Sequence, residues 1–353
     1  MIDLFVELLQ VVIGNRSSLS RIPSEKEWKE LYAMSQKQSV GAFVFTAIDQ
    51  LGNSGQKPPM SLLYEWIGLS EQMRLQNIQM NKEAALLTRL FEQAGHYTAI
   101  LKGQANARLY PQPWSRQPGD IDIWVDGGRE KVVETVQRLG LSKEEMKVSY
   151  HDVHLQQNGI EIEVHFRPSS GNLNPFTNKR LQAFLEKEID AGCLLVEDGF
   201  RVPSIRFALV MQLAHIQRHL LSEGVGIRQV IDYYYLLKSD FNKERDDVFY
   251  LLKSFGLNHI AEALMWLLHE IFGLEKSYLL APMDEKRGRM LLQAIMNGGN
   301  FGQHYFDDRE KGLLARMVAN HTKRLQMLHF DVPETICNEV YSFYCFFRKV
   351  AKD

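Results

Sequence analysis

The chain has 353 residues, 45% of them hydrophobic and 24% charged, the make-up of a soluble globular protein of about two or three domains. Its 41 basic residues against 43 acidic ones leave a net charge of −2, so no global basic field recruits nucleic acid, and a nucleic-acid partner is not expected. No apolar run reaches the roughly 18 residues that a membrane span requires, and the start, Met1-Ile2-Asp3-Leu4-Phe5-Val6-Glu7, lacks the basic head of a secretory signal. The cysteines Cys193, Cys337 and Cys345 have no paired spacing, which disfavours a disulfide framework or structural zinc and suggests a cytoplasmic protein.

Helical patterns fill the first part of the chain. Leu4, Leu8, Leu9, Val12 and Ile13 recur at helical spacing, and Pro23-Ser24-Glu25-Lys26-Glu27 reads as a helix entry. After the loop Gly52-Asn53-Ser54-Gly55-Gln56-Lys57-Pro58-Pro59, a long helix is expected from about Met60 through Glu92, with a possible break. The texture changes at Tyr97. A short strand at Tyr97–Leu101 ends on Lys102-Gly103, a helical stretch follows from Gln104 to Tyr110, and Pro111, Pro113 and Pro118 punctuate a loop. A second strand holds Asp120-Ile121-Asp122-Ile123-Trp124-Val125 and stops at Gly127-Gly128, before helical periodicity over Arg129–Leu139. Lys147–Gln156 and Ile160–Phe166 read as a hairpin across Gln157-Asn158-Gly159. Beyond Pro168 helices are expected at 205–221, 225–237, 244–255, 259–272, 286–296, 310–328 and 333–349, with only Cys193–Val202 extended. The expected class is α+β: a small mixed sheet between N-terminal helices and a mostly helical C-terminal part, divided as 1–95, 96–202 and 203–353.

The chemistry concentrates in the two acidic strands. Residues i and i+2 of a strand share a face, so Asp120 and Asp122 project together while Ile121 and Ile123 enter a core. Ile160-Glu161-Ile162-Glu163-Val164-His165 repeats the pattern. Carboxylates crowded on neighbouring strand faces repel unless a cation lies between them, which points to a Mg²⁺ or Mn²⁺ site for phosphoryl chemistry. Asp120 and Asp122 are the candidate shared ligands, and Glu163, ahead of Glu161, is the candidate third carboxylate and proton acceptor. Gly103, at a strand-to-helix handover, permits close backbone approach to a phosphate. Lys102 and Arg116 are candidate phosphate partners, and His165 could orient a ligand or touch phosphate. His154 reads as structural. His215 and His219, four apart on a helix, suit a cleft wall better than zinc. Arg228 and Asp232, also four apart, read first as a helix-surface ion pair, with an Arg228–phosphate contact as the second reading. Tyr233-Tyr234-Tyr235 is expected in the core, and Phe343-Tyr344-Cys345-Phe346-Phe347 in the core or on a dimer face.

The series Leu101-Lys102-Gly103, Leu109-Tyr110-Pro111, Arg116, Asp120-Ile121-Asp122-Ile123 and Glu161-Ile162-Glu163-Val164-His165-Phe166, followed by His215, His219 and Gly224-Val225-Gly226-Ile227-Arg228-Gln229 with Asp232, resembles the uncharacterised nucleotidyltransferase family of the polymerase-β-like superfamily. The resemblance implies metal-dependent transfer of a nucleoside monophosphate from an NTP, ATP in the first place, to an acceptor of unspecified identity, expected to be a hydroxyl on a small molecule, protein or peptide. Superfamily members carry Gly-Ser where this chain has Lys102-Gly103. That difference keeps two other readings in view: a nucleotide-binding regulatory module without catalysis, and a toxin-type transferase acting on tRNA.

Overall fold

A strand pairing that joins distant parts of the chain sets the geometry. In the computed structural model, which describes residues 1–141, 146–222, 224–239, 245–298, 321, 325 and 327–350, one sheet contains β1 (Thr98–Ile100), β2 (Ile121–Val125), β3 (Lys147–Val148), β4 (Asp152–Gln157) and β5 (Ile160–His165) in the order β1-β2-β5-β4-β3. The β2–β5 contact is parallel and the others are antiparallel. The expected hairpin is present, turning through Asn158 and Gly159, both with positive φ. Its first arm is interrupted, however. Ser149-Tyr150-His151 breaks the ladder between β3 and β4, and Ser149 Oγ donates to Asp152 Oδ1 at 2.5 Å.

Period-two alternation gives the sheet two chemically distinct faces. Ile121, Ile123, Val125, Val153, Leu155, Ile162 and Val164 point to one side, where they pack on Ala84, Leu87 and Phe91 of α5 (Met60–Gln93) and Val132 and Val136 of α7 (Gly128–Leu139). The acidic residues lie on the other side. The break foreseen in the long helix is absent: α5 runs 34 residues without interruption, about 50 Å at 1.5 Å per residue. Its internal glycine, Gly68, faces solvent, and an added Cβ would meet open space, so no close packing there requires a glycine.

Helices α1 (Ile2–Val12), α2 (Glu25–Lys37), α3 (Gly41–Phe45) and α4 (Ile48–Asn53) precede α5. The predicted entry to α2 is a capping box: Ser24 accepts from the Glu27 amide while the Glu27 side chain accepts from the Ser24 amide. After the sheet come α8 (Pro175–Asp190), a small hairpin of β6 (Leu194–Leu195) and β7 (Arg201–Val202), then α9 (Ile205–Leu221), α10 (Ile227–Lys238), α11 (Arg245–Ser254), α12 (Asn258–Glu270), α13 (Glu285–Gly298) and α14 (Val332–Val350). Side chains of α1–α4 and of α8–α13 share one apolar core, which includes Trp28, Phe207, Tyr233 and Leu264. Helix α8 was not foreseen. Leu181, Leu185 and Ile189 are its buried residues, with Phe184 partly buried beside them, and its start, Asn174 capping ahead of Pro175, falls in a stretch rich in turn residues. The helix expected at 310–328 lies mostly outside the described residues. No helix among the described residues is long and apolar enough to cross a membrane.

One polar residue ties α5 to the loop that approaches the acidic strands. Asn77 is buried, and its Nδ2 lies 2.9 Å from the carbonyl oxygens of Met73, Trp114 and Arg116. Replacing Asn77 with Leu keeps the branching at Cγ but strands two loop carbonyls, so a loss of about 2–4 kcal/mol is expected in chemical denaturation. A variant as stable as the wild type would show that this anchor contributes nothing.

Candidate metal and phosphate centre

The parallel register of β2 and β5 sets Asp122 directly beside Glu163, and the antiparallel register of β4 sets His154 on Glu163's other side. One step along the same face stand Trp124, His165 and Asp152. His165 Nε2 lies 3.0 Å from Asp122 Oδ1 and 3.4 Å from Glu163 Oε2. His154 bridges the other carboxylates, with Nδ1 3.5 Å from Glu163 Oε1 and Nε2 3.2 Å from Asp152 Oδ1. His151 Nε2 sits 3.0 Å from Asp152 Oδ2. Three overlapping donor sets are compact enough for a cation, each with ligand atoms within 4.8 Å of one another: Asp122, Glu163 and His165; Asp152, His154 and Glu163; and His151, Asp152 and His165. Asp120, one residue before β2 and about a third exposed, is outside these sets.

Two side-chain cations offset the acids. Lys102 Nζ is 3.0 Å from Asp122 Oδ1 and 3.9 Å from Asp120 Oδ2. Burial works against its ammonium, yet Asp120, Asp122 and Glu163 outweigh burial and raise its pKa. His165 follows the same logic: burial opposes its charge, but Asp122 and Glu163 push its pKa up to about 9. Conversely, burial would favour neutral Glu163, and His165 and Lys102 hold its pKa below the usual carboxylate range. The charges thus stabilise one another.

The donor chemistry fits a hard divalent ion. Asp122 is almost wholly buried, and its Oδ2 has no hydrogen-bond partner, so an acceptor oxygen that ordinarily demands compensation lies within the cluster. Carboxylate oxygens suit Mg²⁺ and Mn²⁺, and the adjoining imidazoles also suit Mn²⁺ or other transition ions.

On the β1 side, Gly103 takes φ +60°, and an added Cβ would stand 3.4 Å from the Asp120 carbonyl, so the tight turn requires glycine. The helix it opens, α6 (Gln104–Ala107), is a single turn, shorter than the stretch to Tyr110 that the sequence suggested. Lys102, Gly103, Gly119 and Arg228 border a narrow recess there. Arg116 reaches the recess too, but its fork is engaged. Nε and Nη2 donate to Asp232 Oδ1 and Oδ2 at 2.7 and 2.8 Å, and Tyr110 Oη donates to the same carboxylate at 2.7 Å. Asp232 therefore pairs with Arg116 in the interior, not with Arg228 on a helix surface, because α10 is buried along its whole length there. Arg228 Nη1 donates to the Gln117 carbonyl at 3.1 Å.

Helix α9 forms the opposite wall of a cavity of about 390 Å³, presenting His215, Arg218 and His219 toward the acidic strands. The two imidazoles are 4.2 Å apart between centroids. Burial, then Lys102 and His219, push His215 well below its ordinary pKa, so it is neutral. Tyr233, Tyr234 and Tyr235 are core residues, whereas Phe343 and Tyr344 are exposed. Asp152, His151 and Arg218 drew no attention in the sequence, and His154, read as structural, lines the cavity. The signal was present in Asp152-Val153-His154, whose alternation mirrors Glu163-Val164-His165 on the adjoining strand.

Residues 24–273 match the model of a family described as uncharacterised nucleotidyltransferase, and the chain belongs to that family; it is a nucleotidyltransferase. No curated protein matches. Among solved structures, an antigenic nucleotidyltransferase-like protein from Paracoccidioides brasiliensis is similar at 12% identity and a TM-score of 0.33, over 59% of this chain and 96% of that one. The Thermotoga maritima CCA-adding enzyme, solved with tRNA, is similar at 11% identity and a TM-score of 0.25, over 76% of this chain and 80% of that one.

The buried pair at Arg116 predicts a stability phenotype. Asp232→Asn leaves a buried guanidinium uncompensated and should cost about 3–5 kcal/mol in chemical denaturation at pH 7, whereas Arg116→Met with Asp232→Leu should cost less than the single change. The pH dependence has a definite sign. Burial opposes the Asp232 charge, but Arg116 and Tyr110 outweigh it and lower its pKa. The contribution is therefore complete above the usual carboxylate range and is lost as pH falls through the depressed value. Equal stability of Asp232→Asn and wild type across that range would contradict this assignment.

Proposed function

We propose that this chain transfers a nucleoside monophosphate from an NTP to a hydroxyl of its acceptor, with Asp122 and Glu163 holding Mg²⁺ or Mn²⁺ and Asp120, at the edge of their compact set, as a further carboxylate ligand. The observation that carries this reading is the in-register pair Asp122–Glu163 beside the Lys102-Gly103 turn. A divalent ion held there supplies Lewis acidity toward the acceptor hydroxyl and charge neutralisation at the pyrophosphate. The remaining tasks fall to the chain. The Lys102-Gly103 turn brings backbone close to the triphosphate, with the Lys102 ammonium as its charge partner and Arg228 bordering the same recess. Arg116 acts through position: by holding Asp232 it fixes the loop before β2 against α10. His165, donating toward Asp122 and Glu163, keeps both carboxylates aimed at one point. Glu163 accepts the acceptor's proton. The acceptor oxygen then bonds to the α-phosphorus as the bond to pyrophosphate breaks. The catalytic unit is residues 96–202, with α9 and α10 as the facing wall.

Purified protein incubated with α-labelled NTPs, Mn²⁺ or Mg²⁺ and a panel of hydroxyl acceptors should release pyrophosphate and label the acceptor. Asp120→Asn with Asp122→Asn should lower the rate at least about 100-fold. Unchanged turnover in that variant would defeat the mechanism. NTP binding without turnover over hours would instead favour the regulatory module that has lost catalysis.

A further inference from the structure

Beyond β4 a second groove of about 580 Å³ adjoins the carboxylate cavity. Ser170 and Arg218 line both spaces, so the two are neighbours. We infer that this groove binds the acceptor, and that the acceptor is a small molecule bearing an anionic group and a planar ring. The inference rests on the transfer reading above and adds the substrate class.

Position comes first. The Lys102-Gly103 turn follows β1, on one side of Asp122, whereas β5, β4 and β3 lie on the other. Val148 and Tyr150, from β3 and the turn after it, form part of the groove. In-line displacement needs the attacking and leaving oxygens on opposite sides of the phosphorus. With the triphosphate at Lys102, the attacking hydroxyl must arrive from the β4 side, past Glu163 and His154. That is the side on which the groove opens.

Its chemistry is unlike that of the cavity. The cavity wall carries Asp120, Asp122, Asp152 and Glu163, while among the described residues the groove is lined by Arg129 and by Arg218, which it shares with the cavity, and by no carboxylate. The neighbouring acid, Glu334, has its oxygens directed at the amides of Leu173 and Asn174, where it secures the groove's floor. Both guanidinium groups stand over rings: Arg218 is 5.7 Å from the Tyr341 centroid and Arg129 is 5.9 Å from that of Phe166. Tyr150, Tyr341 and Tyr344 are each more than two-fifths exposed around this one groove. Tyr150 is fixed there by donating its hydroxyl to the Ser170 carbonyl. Exposed aromatic faces beside guanidinium forks match a ring that carries a phosphate or carboxylate. The acceptor's anion is matched by the two guanidinium groups of the groove, so the acceptor lies with its charge outward and its hydroxyl toward Glu163. The volume falls within the roughly 300–1,000 Å³ of small-molecule sites.

Phenyl phosphate is a suitable probe, with inorganic phosphate and benzyl alcohol as controls, titrated into the full-length protein by calorimetry or ligand-observed NMR. Phenyl phosphate should bind at least about fivefold tighter than either control, and Arg129→Ala or Arg218→Ala should weaken it about tenfold. Tyr344→Ala should bring phenyl phosphate toward the affinity of inorganic phosphate. A non-hydrolysable ATP analogue with Mn²⁺ should bind Arg129→Ala and Tyr344→Ala as it binds the wild type. Equal binding of phenyl phosphate and inorganic phosphate, or undiminished binding by the arginine variants, would overturn the proposal. Parallel loss of the ATP analogue would also overturn it, since the groove would then belong to the donor. Failure of the analogue to bind even the wild type defeats the transfer reading itself, while the phenyl phosphate series still reports the groove's chemistry.

Discussion

The structure turns on the pairing of two strands separated by some forty residues. Parallel alignment of β2 with β5 places Asp122 against Glu163 on the polar face of the sheet, where two partly or wholly buried carboxylates would repel each other if left alone. The surrounding architecture answers that repulsion. Lys102 enters from the end of β1, and His165 from one step along β5. On the other face, aliphatic side chains against α5 and α7 hold the register that brings the acids together. A one-residue slip of either strand would exchange the acids for isoleucine or valine, so the hydrophobic core and the acidic centre specify the same alignment.

That coupling explains what was legible in the sequence. Alternation is local, so Asp120-Ile121-Asp122 and Glu161-Ile162-Glu163 declared their strands and their faces without knowledge of the fold. The adjacency of β2 and β5 could be expected from carboxylate chemistry, since two acidic faces need a common cation. The fate of Arg116 could not. Its partner Asp232 is 116 positions away, and nothing in the Pro-rich loop signals a buried ion pair. Asp152 and His154 were obscured for a different reason. The interruption at Ser149-Tyr150-His151 resets which residues face the cavity, and a strand assumed continuous from Lys147 conceals that reset. The helix α8 escaped because its buried and partly buried apolar residues, Leu181, Phe184, Leu185 and Ile189, begin only at Leu181, behind a start rich in turn residues.

The site thereby acquires a polarity. Toward β1 lie glycine, lysine and a buried arginine network, an environment suited to phosphate. Toward β4 and β3 lie imidazoles, then tyrosines and two guanidinium groups. The carboxylates stand between these two regions, and α9 closes the space opposite with His215 and Arg218. The contrast follows from strand order rather than from any single residue.

Titration of the full-length protein with Mn²⁺, followed by electron paramagnetic resonance, tests the central claim most directly. If Asp122 and Glu163 grip one ion together, wild-type protein binds Mn²⁺ saturably, and Asp122→Asn and Glu163→Gln each weaken that binding at least about tenfold. Wild-type affinity retained in both variants would contradict it.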